Sequence, residues 1–157
     1  RPFNTFGPRQ SARAIIPTII SQALAYEKTK QPIKIGSLAP SRDFTFVKDT
    51  AAGFLAAAKS DKAIGELINL GTGQTQTVGE TLNLILEILG NADIPVETDG
   101  QRIRPEKSEV MMLMANADKA KELLNWHANT SFKEGLSQTI TAIQQSLNDY
   151  KTLVYNV

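Results

Sequence analysis

Two arginines, an asparagine and a glycine turn are the residues whose chemistry stands out. A guanidinium fork matches phosphate oxygens bidentately, and two arginines from separate loops can clamp a diphosphate. Arg42 stands in Arg42-Asp43, just before the apolar run Phe44-Thr45-Phe46-Val47. Arg104 opens Arg104-Pro105-Glu106-Lys107-Ser108-Glu109, where proline fixes the backbone directly after it. Taken singly, the first reads as a surface ion pair or turn, and the second as a solvated loop. Asn69 is a polar residue in the apolar run Leu67-Ile68-Asn69-Leu70, so once buried it must hydrogen-bond to backbone or to a ligand. Gly71-Thr72-Gly73 follows it. A dinucleotide fingerprint would need a third glycine where Gln76 stands, so the segment reads as a plain strand-to-helix turn.

No nucleophile or acid–base set accompanies these residues. The single histidine, His127, follows Trp126 at a helix end, where packing or helix capping is its expected role. The tyrosines are Tyr26, Tyr150 and Tyr155; Tyr26 and Lys30 have Tyr-x-x-x-Lys spacing but fall at the polar end of a helix. The absence of cysteine rules out a disulfide framework and thiolate metal ligation, and one histidine rules out a His-rich metal site. Lys plus Arg is 17 against 16 Asp plus Glu, a net charge of +1, which lacks the basic excess of a nucleic-acid surface. No apolar run approaches the roughly 18 residues of a membrane span. A hydrophobic content of 41% in 157 residues suits one soluble globular unit with a core. The chain opens Arg1-Pro2-Phe3-Asn4 with no initiator methionine and no signal-peptide pattern, so a start in mid-protein is expected.

Helices are the clearest elements that must position these groups. Ile15 to Tyr26 carries an apolar stripe at helical spacing, with Pro17 acceptable only in the first turn. Asp49 is placed to cap a second helix, through Ala51 and Leu55 to about Lys59. Thr77-Val78-Gly79-Glu80 is a capping box, with Gly90 ending the helix it starts. Asn116 is expected to cap a helix from Ala117 to Leu124, and Ser131-Phe132-Lys133-Glu134 is a second capping box. The helix it opens carries Phe132, Leu136, Ile140, Ile143, Leu147 and Tyr150 on one face. Short strands are expected at Ile33–Ile35, Phe44–Val47, Leu67–Leu70 and Ile94–Glu97. Val110–Met114 reads as a strand or extended loop whose methionines fill gaps in the core. Asp99 to Ser108 is expected to be the least ordered stretch. Strands alternating with helices predict α/β architecture.

Four blocks in order carry a resemblance across nearly the whole chain. Arg1-Pro2-Phe3-Asn4-Thr5-Phe6-Gly7-Pro8 is similar to the R-x-x-N-x-x-G-P segment of the extended short-chain dehydrogenase/reductase family, the NAD-dependent epimerases and dehydratases of nucleotide sugars. Ile33-Lys34-Ile35-Gly36 with Arg42-Asp43-Phe44-Thr45-Phe46-Val47-Lys48-Asp49-Thr50-Ala51 resembles its I-x-G … R-D-F-x-x-V-x-D-x-A block. Leu67-Ile68-Asn69-Leu70-Gly71-Thr72-Gly73 resembles its x-x-N-x-G-x-G strand. Arg104-Pro105 followed by Asp118 to Trp126 resembles its R-P … D-x-x-K-A-x-x-x-L-G-W ending, with Asn125 where glycine is usual. The run Arg104 to Val110, with Arg9 to Arg13, is most similar to 4,6-dehydratases of the legionaminic-acid type.

The resemblance implies roles by position. Asn4 would touch the sugar nucleotide near its diphosphate or sugar, and Phe3 and Thr5 would lie beside the nicotinamide end of NAD. Ala14 and Ile15 would line the nucleotide site, and Ile33 to Ile35 would hold the base through backbone groups. Arg42 and Arg104 would grip the diphosphate, and Asn69 would support the ribose or base. The family's glycine-rich NAD loop and Tyr-x-x-x-Lys pair precede R-x-x-N-x-x-G-P, so no catalytic residue is assigned within residues 1–157. The chain is therefore expected to be the C-terminal half of such an enzyme: a substrate-binding lobe plus the last strands of a Rossmann-like sheet, incomplete and inactive on its own. The reaction implied is a 4,6-dehydration; a 4-epimerase of the same family and a non-catalytic sugar-nucleotide-binding or assembly module are the alternatives. A cytoplasmic protein, homodimeric when full-length and without nucleic-acid or membrane partners, completes the expectation. Strand edges left without the upstream sheet would make the isolated segment poorly soluble.

Overall fold

The end signals in the sequence set most of the helices. In the computed structural model, which describes residues 1–103, 105 and 109–150, the first helix (α1) spans Ile15–Thr29 with Pro17 in its first turn. It closes on Lys30 in the left-handed region. The third helix (α3, Val78–Leu89) has the full capping box: Thr77 Oγ1 accepts from Glu80 N, and Glu80 Oε2 accepts from Thr77 N. Gly90, at φ 68°, is the αL residue that ends it. The fifth helix (α5) covers Phe132–Gln145, with Ser131 accepting from Glu134 N. Its box is half made, because the Glu134 carboxylate accepts from Gln138 instead. It also ends before Tyr150: the chain tightens into a 3-10 turn at Leu147–Asp149, which still packs Leu147 and Tyr150 on the core.

Two helix starts differ from expectation. The second helix (α2, Val47–Lys59) begins directly out of a strand, so Asp49 lies in its first turn and does not cap it. Its carboxylate instead accepts from Asn129 N at 3.2 Å and Thr130 N at 3.1 Å, pinning the approach to α5. The fourth helix (α4) spans Asp118–Leu124, and Asn116 Oδ1 accepts from Asp118 N one step ahead of it. Asn125 ends α4 at φ 49°. That conformation is why glycine or asparagine suits the position.

Strands are short and form three small sheets among the described residues. β1 (Asn4–Phe6) pairs in parallel with β4 (Phe44–Phe46). β2 (Ile33–Ile35) pairs in parallel with β6 (Val96–Thr98). β3 (Ser41–Arg42) lies between antiparallel β5 (Gln76–Thr77) and parallel β7 (Met112–Leu113). The expected strand at Leu67–Leu70 reduces to one parallel bridge, Pro2 to Leu70, on the free side of β1. Leu70 N donates to Arg1 O and Phe3 N to Leu70 O, so the segment is held as an added strand would be.

A main core joins α1, α3 and α5 to these strands through Ile16, Ile19, Ile20, Ile85, Leu136 and Ile143. Phe6 sits among Phe44, Phe46 and Phe132 at centroid distances of 5.3 to 6.2 Å in edge-on geometry. A smaller cluster of Ile68, Leu70, Ala120 and Trp126 joins α4 to the 68–70 segment. The methionines do not fill a core. Met111, Met112 and Met114 are more than half exposed, on or beside β7, which is an edge strand of its sheet among the described residues. Of the stretch from Asp99 to Ser108, residues 99–103 form a 3-10 turn at Gly100–Arg102. Asp99 anchors that turn, accepting from Gln101 N and pairing with Arg102 at 3.0 Å; Gln101 N, ahead of Arg102, holds its carboxyl below the usual range. Positions 104 and 106–108 lie outside the described residues. No helix among the described residues is long and apolar enough to cross a membrane.

Candidate functional site

Asp43 is the residue around which the candidate site is assembled. It follows β3 directly and its side chain is fully buried. Its Oδ1 accepts from Thr72 N at 2.9 Å and Thr72 Oγ1 at 2.7 Å; its Oδ2 accepts from Gly73 N at 2.9 Å and Ala115 N at 3.1 Å. One carboxylate thus draws the glycine turn and the segment after β7 onto the Arg42 strand. A buried charge is tolerated when such donors surround it. The turn is shaped for the purpose. A Cβ on Gly71 would collide with Ala115 and sit 2.9 Å from Asp43 Oδ2, and Gly73 adopts φ +73°. Arg42-Asp43 is therefore no mutual ion pair or simple turn.

Three of the expected site residues lie around this anchor without bonding to its carboxylate. Arg42 precedes it. Asn4 Nδ2 donates to the Asp43 carbonyl at 3.2 Å, tying β1 to the β3–β4 junction. Asn69, two residues before the turn, donates from Nδ2 to Asn116 O at 3.3 Å, while its Oδ1 is buried without a partner. Arg42 stands opposite Gln76 across β3 and β5. Gln76, with Phe44, Thr72, Gln74 and Phe132, lines a cavity of about 240 Å³. A second, of about 380 Å³, lies on the other side of the turn, between Gly71 and Trp126. Enclosed small-molecule pockets run from about 300 to 1,000 Å³; the first hollow falls below that range and the second lies near its lower end. His127 lines the second hollow and is exposed, neither packed nor capping as expected.

Arg42 is already engaged. Its Nη2 meets Glu109 Oε1 at 3.1 Å, with side-chain exposures of 16% and 17%, and its Nη1 donates to Ser41 O. Glu109, expected in a solvated loop, is half-buried beside Arg42 of β3. Arg104 lies outside the described residues.

The remaining expected residues sit apart. Ile33 and Ile35 are buried in the main core, and the β2 main chain is largely occupied. Ile33 N donates to Pro95 O, Lys34 N and O pair with the Gln22 amide, and Ile35 O accepts from Asp99 N. A base read here would compete with those bonds. Ala14 precedes α1 and Ile15 opens it, both half-buried. Phe3 is half-buried, and the Thr5 hydroxyl is shared with Thr50 at 3.1 Å. For a dinucleotide these residues offer a ring edge and a spent hydroxyl, with no glycine cradle for its phosphates. Phe3 and Thr5 by themselves would give NAD side contacts only.

Comparison with known proteins fits this partial architecture. The family described as GDP-mannose 4,6 dehydratase matches residues 1–139. The chain belongs to the extended short-chain dehydrogenase/reductase family of nucleotide-sugar epimerases and dehydratases. A UDP-glucuronate 4-epimerase of Thermodesulfobacterium geofontis is 34% identical over 79% of this chain and 37% of its own length. Human dTDP-D-glucose 4,6-dehydratase is 25% identical over 98% of the chain and 43% of its own. The crystal structure of UDP-glucuronic acid 4-epimerase from Bacillus cereus, in complex with UDP-glucuronic acid and NAD, superposes with a TM-score of 0.81 at 27% identity. It is covered over 44% of its length, against 93% of this chain. The chain spans about two fifths of the length of these relatives, a portion of a Rossmann-like α/β fold. Epimerases and dehydratases both occur among them.

Asp43 and Glu109 are the site residues that sequence reasoning missed. For Asp43 a signal existed: an acid wedged between an arginine and a β-prone run has no room to face solvent on a buried strand. For Glu109 there was none, since its partner is 67 residues away.

Proposed function

We propose that this chain is the C-terminal, substrate-binding portion of an NAD-dependent nucleotide-sugar 4,6-dehydratase, cytoplasmic and homodimeric when complete. The observation that carries the reading is the placement of Arg42, Asn4 and Asn69 around the Asp43-anchored turn: Arg42 adjoins Asp43, Asn4 donates to its carbonyl, and Asn69 lies two residues ahead of the turn. Arg42 and Arg104 would supply the charge for the diphosphate. Asn4 would contact the diphosphate or sugar, and Asn69, whose Oδ1 lacks a partner, would accept from ribose or base. Ile33 and Ile35 would flank the base, Ala14 and Ile15 the nucleotide, and Phe3 and Thr5 the nicotinamide end of NAD. NAD, bound mainly by a preceding glycine-rich portion, would supply the hydride chemistry, and residues 1–157 would orient the sugar. Binding energy from the remote nucleotide is then spent on alignment at the reacting carbons.

In the full-length protein, Arg42→Ala and Arg104→Ala should each weaken nucleoside-diphosphate binding at least tenfold, the scale of a lost charge-assisted hydrogen bond of about 1.5–3 kcal/mol. Unchanged affinity in both variants by titration calorimetry rejects the diphosphate clamp. A 4-epimerase is the second reading, favoured by the identity to the Thermodesulfobacterium enzyme. Product analysis by NMR separates them: a dehydratase yields a 4-keto-6-deoxy sugar, an epimerase only the C4 epimer.

A further inference from the structure

We infer that Met111, Met112 and Met114 form a reversible oxidation site, at which peroxide converts three thioethers to sulfoxides while the fold around them holds. The sequence has three methionines and no cysteine, so all the sulfur of the chain lies within this one short run. The side chains are 55%, 63% and 53% exposed. They belong to β7 or flank it, at the open edge of the β5–β3–β7 sheet. Neither core cluster includes a methionine. Peroxide oxidises a thioether where its sulfur can be reached, and no thiolate in the chain competes for it. The sulfur lone pair takes one oxygen from hydrogen peroxide; the O–O bond breaks, an S–O bond forms, and the other oxygen leaves as water. Sulfur gives up an electron pair and peroxide gains it. The product is polar, which makes a sulfoxide disruptive inside a core. At this edge it meets water. What holds β7 is main chain: Ser41 N donates to Met111 O at 2.7 Å, Asp43 N to Leu113 O at 2.9 Å, and Ala115 N to the Asp43 carboxylate at 3.1 Å. None of these bonds uses sulfur. Oxidation therefore leaves the Asp43 anchor in place and makes the uncharged apolar run at residues 110–114 polar on its open edge. The oxidation state of the methionines sets the polarity of that edge.

The test treats the full-length protein with hydrogen peroxide under native conditions and follows its peptides by mass spectrometry, with free methionine in the same solution as the rate standard. Met111, Met112 and Met114 should each oxidise within about tenfold of the free amino acid, as accessible thioethers do. The two stereospecific methionine sulfoxide reductases, one for each epimer, should then return the peptide to its starting mass. Rates and reversal are read on the wild-type sequence. Tolerance is read by thermal unfolding and by amide exchange at Ala115. A variant carrying Met111→Leu, Met112→Leu and Met114→Leu, which conserves volume and hydrophobicity, is treated in parallel, so that damage at other methionines is subtracted. Relative to that variant, oxidation should lower Tm by less than about 2 °C and leave exchange at Ala115 within about twofold. Three results overturn the inference. Oxidation more than about tenfold slower than free methionine means that another part of the protein, or a second copy, covers the edge. A larger fall in Tm or faster exchange at Ala115 makes the methionines part of the packing. Sulfoxides that the reductases leave in place on the native protein remove the reversibility.

Discussion

Replacing Asp43 with asparagine tests the architecture of the site at its centre. The substitution changes almost no volume, so its effect comes from hydrogen bonding alone. The wild-type carboxylate receives four bonds, from Thr72 N, Thr72 Oγ1, Gly73 N and Ala115 N. The best amide orientation keeps its oxygen toward Gly73 and Ala115 and turns its NH2 toward Thr72. The Thr72 hydroxyl can adapt, because it also reaches Gln74 O at 3.1 Å and can turn its proton there. Thr72 N cannot, and it becomes a backbone donor facing a donor. Leaving one such N–H unpaired costs about 1–3 kcal/mol, and exchanging a charged acceptor for a neutral one adds about 1 kcal/mol. The sum, about 2–4 kcal/mol, corresponds to a fall in Tm of about 5–15 °C for a protein of this size or somewhat larger. Thermal unfolding measures the total, and amide hydrogen exchange locates it, with faster exchange at Thr72 than at Gly73 or Ala115. A Tm within 1–2 °C of wild type, an effect below about 0.5 kcal/mol, with all three amides still protected, would refute Asp43 as the organiser of the turn.

Two other outcomes follow from packing and titration. Gly135→Ala in α5 should destabilise: helix propensity favours alanine by about 1 kcal/mol, but the new Cβ would stand 2.7 Å from Phe6 Cζ and 3.0 Å from Phe46 Cδ2. Those rings are locked in the core and overpacking costs about 1–3 kcal/mol, so urea unfolding should show a net loss; a gain in stability would contradict the packing. Glu80 titrates below its ordinary value because the Thr77 backbone N–H, and then its hydroxyl, donate to the carboxylate. A depressed folded value means that this contribution is complete above the unfolded carboxylate pKa and is lost as pH falls through the lowered one. Glu80→Gln should therefore flatten part of the acid limb of a stability-versus-pH curve, and an unaltered limb would show that the capping box carries no linkage.

Helix ends and the family blocks were legible from residue order alone, because both rest on local chemistry. Thr77 and Glu80 are three residues apart, and their reciprocal bonds need nothing from the rest of the chain. Asn125 departs from the family's glycine, yet the αL position it fills is one that asparagine tolerates. What the order could not decide was where each polar side chain would find its partner. Asp49 has the type and spacing of a cap, but β4 feeds straight into α2 and moves the helix start ahead of it, freeing its carboxylate for backbone 80 and 81 residues away. The methionines near residue 112 read as filling, and lie on an edge strand whose exposure depends on what pairs beside it. Arg42 and Glu109 belong to segments that look like ordinary surface until β3 and β7 lie side by side. Local periodicity fixes which residues can turn inward; only the closure of distant strands fixes which charges then meet, since an ion pair needs a few ångströms of separation that sequence distance does not set.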